Sequence, residues 1–431
     1  MSRHEAGARA AAFGRLHRAM AERDPTWRPA EGWFVPGRIE VLGKHTDYAG
    51  GRSLLCATER GFSVVDRPRQ DSAVVMTDIG RQSTITLHMD PNAPAPGVPW
   101  AKYPLTVVRR VARNFPEARR GVDIVFESDL PGSSGLSTSS ALIVASLLAI
   151  ASANELESHP SWIHAVPDVE ALAGYAGAIE NGSAYGRLDG DAGVGTSGGS
   201  EDHTAILCAT PGSLTQYAFC PIRREHSVEL GPSLIFAIAF CGVAASKTGG
   251  ARARYNRAAS GVAAVLTRWR SETGRRDETL AAAVESTPDA AAHIDRLLAA
   301  EPESGILRNR VLQFVEESTV LVPEATRCLS RGDLRGFGAR VARSQALAED
   351  WLGNQVPETS ALVRSALELG AHAASAFGAG FGGSVWALVE RSDGDGFLGL
   401  WAARYRDTCP QAAARAAFFL TRPGPPALRV W

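Results

Sequence analysis

From Pro36 to Gly51 the chain reads Pro-Gly-Arg38-Ile-Glu40-Val-Leu-Gly-Lys44-His45-Thr-Asp47-Tyr-Ala-Gly-Gly. A strand through the first half would set Arg38 and Glu40 on one face, because side chains alternate along a strand. The polar loop after it then gathers Lys44, His45 and Asp47. Such a set suits a polyhydroxylated ligand, since every hydroxyl both donates and accepts. On composition alone, a polar surface loop with a His–Asp hydrogen bond is the stronger explanation. A catalytic metal fits less well, because two ligands at this spacing do not make a site.

A second segment runs Asp129-Leu-Pro131-Gly132-Ser133-Ser134-Gly135-Leu136-Ser137-Thr138-Ser139-Ser140-Ala-Leu142, between a strand and a long apolar helix. Small residues let the backbone approach an anion, and a helix N-terminus offers free N–H groups and partial positive charge. The hydroxyls could also reach a phosphate or Mg²⁺. The lysine of the common phosphate loop is missing. An ordinary capped helix start competes with phosphate binding, but a cap needs one hydroxyl and five lie between Ser133 and Ser139. A third segment, Gly378-Ala-Gly380-Phe-Gly-Gly383, has dinucleotide-type spacing. That fingerprint opens a helix, whereas a strand-like run, 384–389, follows here, so NAD binding is rejected. What remains is a tight glycine turn near a ligand, or a purely structural hairpin. Finally, Glu180 ends a helical pattern, and Asp202 follows a glycine-rich loop in Gly199-Ser-Glu-Asp-His203. Acidic groups are needed to hold Mg²⁺ and to receive or orient a hydroxyl proton. Taken singly, each reads as a solvated surface carboxylate.

Periodicity and breakers supply the elements that must position these groups. Helices are predicted over 5–23, 138–154, 169–180 with Asp168 as N-cap, 251–271, 278–299 and much of 304–370. Strands are predicted over 33–42, broken at Pro36-Gly37, and over 122–126, 234–240, 373–377 and 384–389. This order indicates an α+β chain of two domains, 1–215 and 216–431, since 431 residues exceed one ordinary core.

Composition narrows the partners. Hydrophobic residues are 45%, charged residues 21% and the net charge is -1, which fits a soluble protein and argues against nucleic acid or an anionic membrane as partner. The most apolar stretch, 141–151, is too short to span a bilayer, and the N-terminal segment reads as a surface helix rather than a targeting peptide. Six scattered cysteines without a C-x-x-C pair point to a reducing cytoplasm. Of 45 basic residues only Lys44, Lys102 and Lys247 are lysines. Against that background a lysine could serve as a compact, flexible ammonium that arginine does not match. Chance is the competing explanation.

In this order the first three segments resemble the signature motifs of the GHMP kinase superfamily, most closely its galactokinase-like branch. That branch has a substrate loop G-R-x-N-L-I-G-E-H-T-D-Y-x-x-G, a serine loop P-x-G-x-G-L-S-S-S-A and a third motif G-x-G-F-G-G. The resemblance spreads over 33–389, and His-Thr-Asp-Tyr is its most specific part. It implies a two-domain GHMP kinase fold with the active site in the cleft between the N- and C-terminal domains. It also implies ATP-dependent phosphorylation of a free sugar at the anomeric hydroxyl, with ATP and Mg²⁺ bound. By the same resemblance Arg38 stabilises charge on the transferring phosphoryl group and Asp202 is the catalytic aspartate. Lys44, His45, Asp47 and Gly199 face the sugar. Pro131, Gly132, Ser133, Ser134, Gly135, Leu136, Ser137, Thr138 and Ser139 wrap the phosphates, while Ser139 and Glu180 hold Mg²⁺. The implied partners are sugar and ATP, for a monomer or homodimer.

Several positions depart from the pattern. The branch has glutamate at Lys44 and asparagine at Glu40, a glycine at Ser133, and Gly-Ile-Met-Asp-Gln where this chain has Gly-Ser-Glu-Asp-His. The stretch between Glu180 and Asp202 is also longer. The charge reversal at Lys44, with Lys247 as a helper, raises an alternative substrate, a uronic acid such as galacturonate. A charge-assisted hydrogen bond to its C6 carboxylate would be worth roughly 1.5–3 kcal/mol. An alternative of another class is a non-catalytic sugar sensor, against which the presence of Arg38, Ser139 and Asp202 counts. A mevalonate- or homoserine-type kinase fits His-Thr-Asp-Tyr less well. Lys102, in Trp100-Ala-Lys-Tyr103, is either near the nucleotide or a surface lysine.

Overall fold

Pro36 and Gly37 bend the first strand without ending it. In the computed structural model, which describes residues 3–22, 24–132, 134–244, 249–299 and 305–431, β1 runs unbroken over Glu31–Leu42. Its register against the next strand shifts between Pro36 and Arg38 and again between Glu40 and Leu42. A bulge tolerates a proline that has no N–H to give the ladder, and it re-aims the side chains that follow. The expected break is therefore a bulge. Ser133 and Lys247 lie outside the described residues.

β1 belongs to a sheet with β2 (Arg52–Pro68), β3 (Ala73–Asp78), β4 (Ser83–His88), β5 (Val122–Ser128), β6 (Ser213–Ala218) and β7 (Arg223–Glu229). A second, four-stranded sheet has β8 (Leu234–Phe240), β9 (Ala373–Phe377), β10 (Ser384–Glu390) and β11 (Ala417–Thr421), in the order β11-β8-β10-β9. The chain then returns, and β12 (Leu428–Arg429) pairs with β1 through Trp33 and Arg429. Residue 215 falls inside β6, and the change of sheet comes between β7 and β8.

The helices that matter for the site are α1 (Arg3–Ala21), α2 (Lys102–Asn114), α3 (Thr138–Ala153), α4 (Pro160–Ala165), α5 (Val169–Asn181), α6 (Glu201–Cys208) and α7 (Gly249–Thr273). α3 is buried almost all round, as a helix apolar on every face must be. Asp168 caps α5 by accepting from the Ala171 N–H at 2.7 Å. The predicted helix over 278–299 is two, Leu280–Val284 and Ala290–Ala299, parted by a turn containing Pro288. The stretch from 304 to 370 likewise divides. Its helices Gly305–Glu316, Val322–Ser330, Leu334–Leu347 and Pro357–Glu368 are joined in part by wide π-helical turns at Glu317–Leu321 and Ala348–Leu352. The main apolar cluster runs from Val35, Phe126 and Ile143 to Phe236, Phe377 and Trp386, so it joins both sheets. Among the described residues no helix is long and apolar enough to cross a membrane.

One core acid makes stability depend on pH. Asp66 in β2 is 1% exposed and accepts from Trp33 Nε1 at 2.8 Å. Burial pushes its carboxyl up to about 7, outweighing the Trp33 hydrogen bond. The folded chain therefore holds this proton more tightly than the unfolded chain. Its contribution is fully present below the ordinary aspartate pKa and is lost as the pH rises through about 7. Asp66→Asn still accepts from Trp33 and carries no charge. Relative to wild type the variant should gain about 2–4 kcal/mol of stability between mildly acid and mildly alkaline pH, read from urea unfolding across that range.

Candidate active site

The bulged β1 places Arg38 and Glu40 on the floor of a cleft of about 340 Å³. Arg38 is buried, and its contacts reach each segment of interest. Its Nε donates to Asp202 Oδ1 at 2.6 Å, its Nη1 donates to the Gly135 carbonyl, and its backbone N–H donates to the Leu136 carbonyl at 3.3 Å. Its guanidinium lies 5.7 Å from the centre of the Phe377 ring at the end of β9. Other bonds draw the same segments together. The Gly378 N–H donates to Glu40 Oε2 at 3.2 Å, and the Ser384 hydroxyl donates to the Ser134 carbonyl at 2.6 Å. Gly378 has φ of 81°, and a Cβ there would lie 3.1 Å from the Gly135 carbonyl oxygen, so both conformation and space call for glycine. The glycine turn is the β9–β10 hairpin, not a helix start, consistent with rejection of NAD binding.

The substrate loop closes one wall. His45 adopts φ of 60°, an unusual conformation for a side-chain-bearing residue. Buried Arg310 holds it there by donating to the His45 carbonyl. His45 Nε2 lies 3.2 Å from the Ala379 carbonyl, which only accepts, so Nε2 carries the proton and Nδ1 accepts from the Tyr48 hydroxyl at 3.1 Å. Asp47 Oδ2 accepts from the Glu201 N–H at 3.1 Å. A Cβ on Gly199 would sit 2.4 Å from that same oxygen, so only glycine lets the loop pass the carboxylate. Tyr255 of α7 places its ring 5.0 Å from that of His45 and lines the cleft.

The serine loop faces the cleft through Gly132, Ser134, Gly135, Ser137, Thr138 and Ser139. Ser137 is the N-cap of α3, yet its side chain makes no capping bond. The hydroxyls of Ser134, Ser137 and Thr138 are buried without a partner among the described residues. Buried hydroxyls are normally satisfied, so three orphans at a helix N-terminus fit an absent acceptor such as a phosphate.

Acidic groups crowd the rest of the floor. The Ser140 hydroxyl lies 2.7 Å from Glu180 Oε2 and 3.2 Å from Asp202 Oδ2, joining the two carboxylates. His203 Nε2 is 3.1 Å from the same Glu180 oxygen. Burial pushes Glu40 up to about 7, against the pull of Lys44 and Arg38. Burial, reinforced by the neighbouring Glu40 and Asp47, holds Glu201 well above the ordinary range.

The galactokinase galactose-binding signature matches residues 25–68, the GHMP kinases N terminal domain matches 102–199, and the GHMP kinases C terminal domain matches 325–406. The chain belongs to the GHMP kinase superfamily, on its galactokinase-like branch. A galactokinase of Actinobacillus pleuropneumoniae serotype 5b is 40% identical over 111 residues, which cover 25% of this chain and 28% of that protein. The chain thus matches little more than a quarter of the length of the first curated relatives. A galactokinase of Roseiflexus sp. is 29% identical over 385 residues, 88% of each chain. The Lactococcus lactis galactokinase complexed with galactose superposes with a TM-score of 0.80 at 20% identity, covering 96% of this chain and 99% of that one. This last likeness speaks for the fold.

Within this GHMP kinase frame most of the residues expected from sequence come together. Arg38, His45, Asp47, Gly199, Asp202, Glu180 and the serine-loop residues named above all line one cleft, and so does Lys102. Three of the expected residues do not line the cleft. Leu136 is fully buried in the core and offers only its carbonyl, to Arg38. Pro131 is not among the cleft-lining residues. Lys44 also lies outside the lining, its side chain turned into the protein at 1% exposure. Its Nζ donates to Ser344 Oγ at 3.1 Å and Ser375 Oγ at 2.8 Å, and Ser344 in turn donates to buried Glu317 at 2.8 Å. The ammonium thus reaches a carboxylate of the C-terminal half through Ser344, an arrangement that counts against its use for a sugar C6 carboxylate. Lys44→Met should cost about 3–5 kcal/mol in urea unfolding, because it removes the buried cation that offsets Glu40 and, through Ser344, Glu317. The ratio of kcat/KM for galactose to that for galacturonate should stay unchanged. Sequence reasoning missed Glu201, His203, Arg81 and Tyr255 as cleft residues, and buried Ser140 as the bridge between Glu180 and Asp202. Ser140, Glu201 and His203 sit beside residues already singled out, whereas Tyr255 and Arg81 carry no local signal.

Proposed function

We propose that the chain is an ATP-dependent sugar kinase that phosphorylates the anomeric C1 hydroxyl of a free monosaccharide, galactose or a close relative. The observation that carries this reading is the Arg38–Asp202 pair, set between a galactose-binding signature and a loop of partnerless buried hydroxyls. His45, the Asp47 carboxylate and Tyr255 offer donors and acceptors for sugar hydroxyls, and Lys102 and Arg81 add positive charge to the cleft. Asp202 orients the C1 hydroxyl and receives its proton as the sugar oxygen bonds to the γ-phosphorus. Arg38 balances the negative charge on the phosphoryl group while the bond to the ADP oxygen breaks. Catalysis of this kind is largely positioning and electrostatics.

The residues present fit a divalent cation. Glu180 supplies one carboxylate and Ser139 a hydroxyl on the same cleft wall, the sparse protein set that Mg²⁺ takes when phosphates complete its shell. When bound, Mg²⁺ would neutralise charge on the β- and γ-phosphates. Ser140 donates to Glu180 and His203 lies beside it, so its carboxylate is already aimed. A cytoplasmic setting agrees with six free cysteines.

The test is ADP release with galactose, galacturonate, glucuronate, arabinose and fucose, followed by assignment of the phosphorylated carbon by NMR. Galactose or a neutral relative should be turned over at C1. Sugar and ATP binding without ADP release from any of the five would overturn the reading.

A further inference from the structure

We infer that Glu40 and Glu201 share one proton on the cleft floor and act as a positioning pair that keeps Arg38 and Asp202 in register. The effect on turnover rests on the kinase reading, whereas the pair itself does not.

Both side chains are almost fully buried, at 4% and 5% exposure. The two carboxyl groups are within hydrogen-bonding reach of each other. Two carboxylates have no proton to offer one another, so such a contact requires that one be an acid. Their other oxygens are engaged: Glu40 Oε2 accepts from the Gly378 N–H at 3.2 Å, and Glu201 Oε2 accepts from the Ser53 hydroxyl at 2.9 Å. The Oε1 atoms of both have no other partner among the described residues, which leaves them to hold the shared proton.

The charged groups facing the pair are Arg38 on β1, Lys44 and Asp47 of the substrate loop, and Asp202 on α6. Ser53 on β2 and Gly378 of the glycine turn complete the surroundings with neutral donors. Position gives the pair its consequence. Glu40 stands two residues from Arg38 on the same face of β1, and Glu201 directly precedes Asp202 at the start of α6. The Arg38–Asp202 contact therefore spans the same two elements as the shared proton. Loss of that proton would set two carboxylates side by side and push β1 and α6 apart. The resembled motifs carry asparagine and methionine at these positions, and neither ionises, so this dependence on a proton is particular to this chain.

The experiment is infrared difference spectroscopy of the full chain without ligands, wild type minus Glu201→Gln, alongside kcat against pH. The difference spectrum cancels other buried acids such as Asp66. A protonated-carboxyl band should be present at neutral pH, fade at alkaline pH together with kcat, and also be removed by Glu40→Gln. Glu201→Ala should lower kcat by about tenfold or more. Glu201→Gln, which still donates, should recover most of that loss and abolish the alkaline decline. Absence of the band at neutral pH, or an alkaline decline that persists unchanged in Glu201→Gln, overturns the pair. Absence of ADP release with every sugar overturns the kinase reading and leaves the pair to be judged on the band.

Discussion

Asp202→Asn should turn over about 10³-fold more slowly than wild type while binding sugar and ATP with little change, because removing a positioned base costs about 10²–10⁴. The asparagine keeps the shape and its one carbonyl oxygen can still accept from Arg38, while an NH2 group replaces the oxygen near Ser140; it neither takes a proton nor carries a negative charge. The loss should therefore appear in kcat rather than in affinity. Single-turnover ADP formation measures the chemical step, and calorimetric titration with sugar measures binding. A thermal melt close to that of wild type would show that the loss is chemical. Comparable turnover in the variant would remove Asp202 from the mechanism.

Arg38→Lys is the second large effect, with kcat expected to fall by about 10³-fold or more, the range seen when an arginine that balances phosphoryl charge is removed. Lysine keeps the charge but not the fork. Arg38 donates from separate nitrogens to Asp202 and to the Gly135 carbonyl, and its guanidinium lies 5.7 Å from the centre of the Phe377 ring. One ammonium does not reproduce that arrangement. Because Arg38 and Asp202 act as a unit, the double variant should be hardly slower than the worse single one. Additive losses would mean that the two act independently.

Much of the site could be read from the chain because each motif is local. Arg38 and Glu40 share a face through the period of a strand, and the serine loop announces itself by more hydroxyls than a cap can use. The glycine turn was distinguished from a nucleotide fingerprint by the strand after it, and the hairpin bears this out. The helical stretches were harder. Sequence patterning marked long helical runs over 278–299 and 304–370; the first is parted at a turn containing Pro288, and the second is interrupted by π-helical turns that no local signal marks.

Lys44 marks the limit most clearly. Sequence alone established that a positive charge stands where the resembled loop has a negative one. It did not establish where that charge points, because a lysine has four rotatable carbons and partners far along the chain. Only the tertiary structure brings Ser344, Ser375 and Glu317 to the ammonium and so takes it out of the cleft. Tyr255 is the reverse case, a residue with no local motif that folding carries to His45. The sequence by itself determined the motifs, their order and the family, since those depend on neighbouring residues. The tertiary structure decided which charges face the ligand and which face each other, because burial and pairing are set by contacts between distant segments.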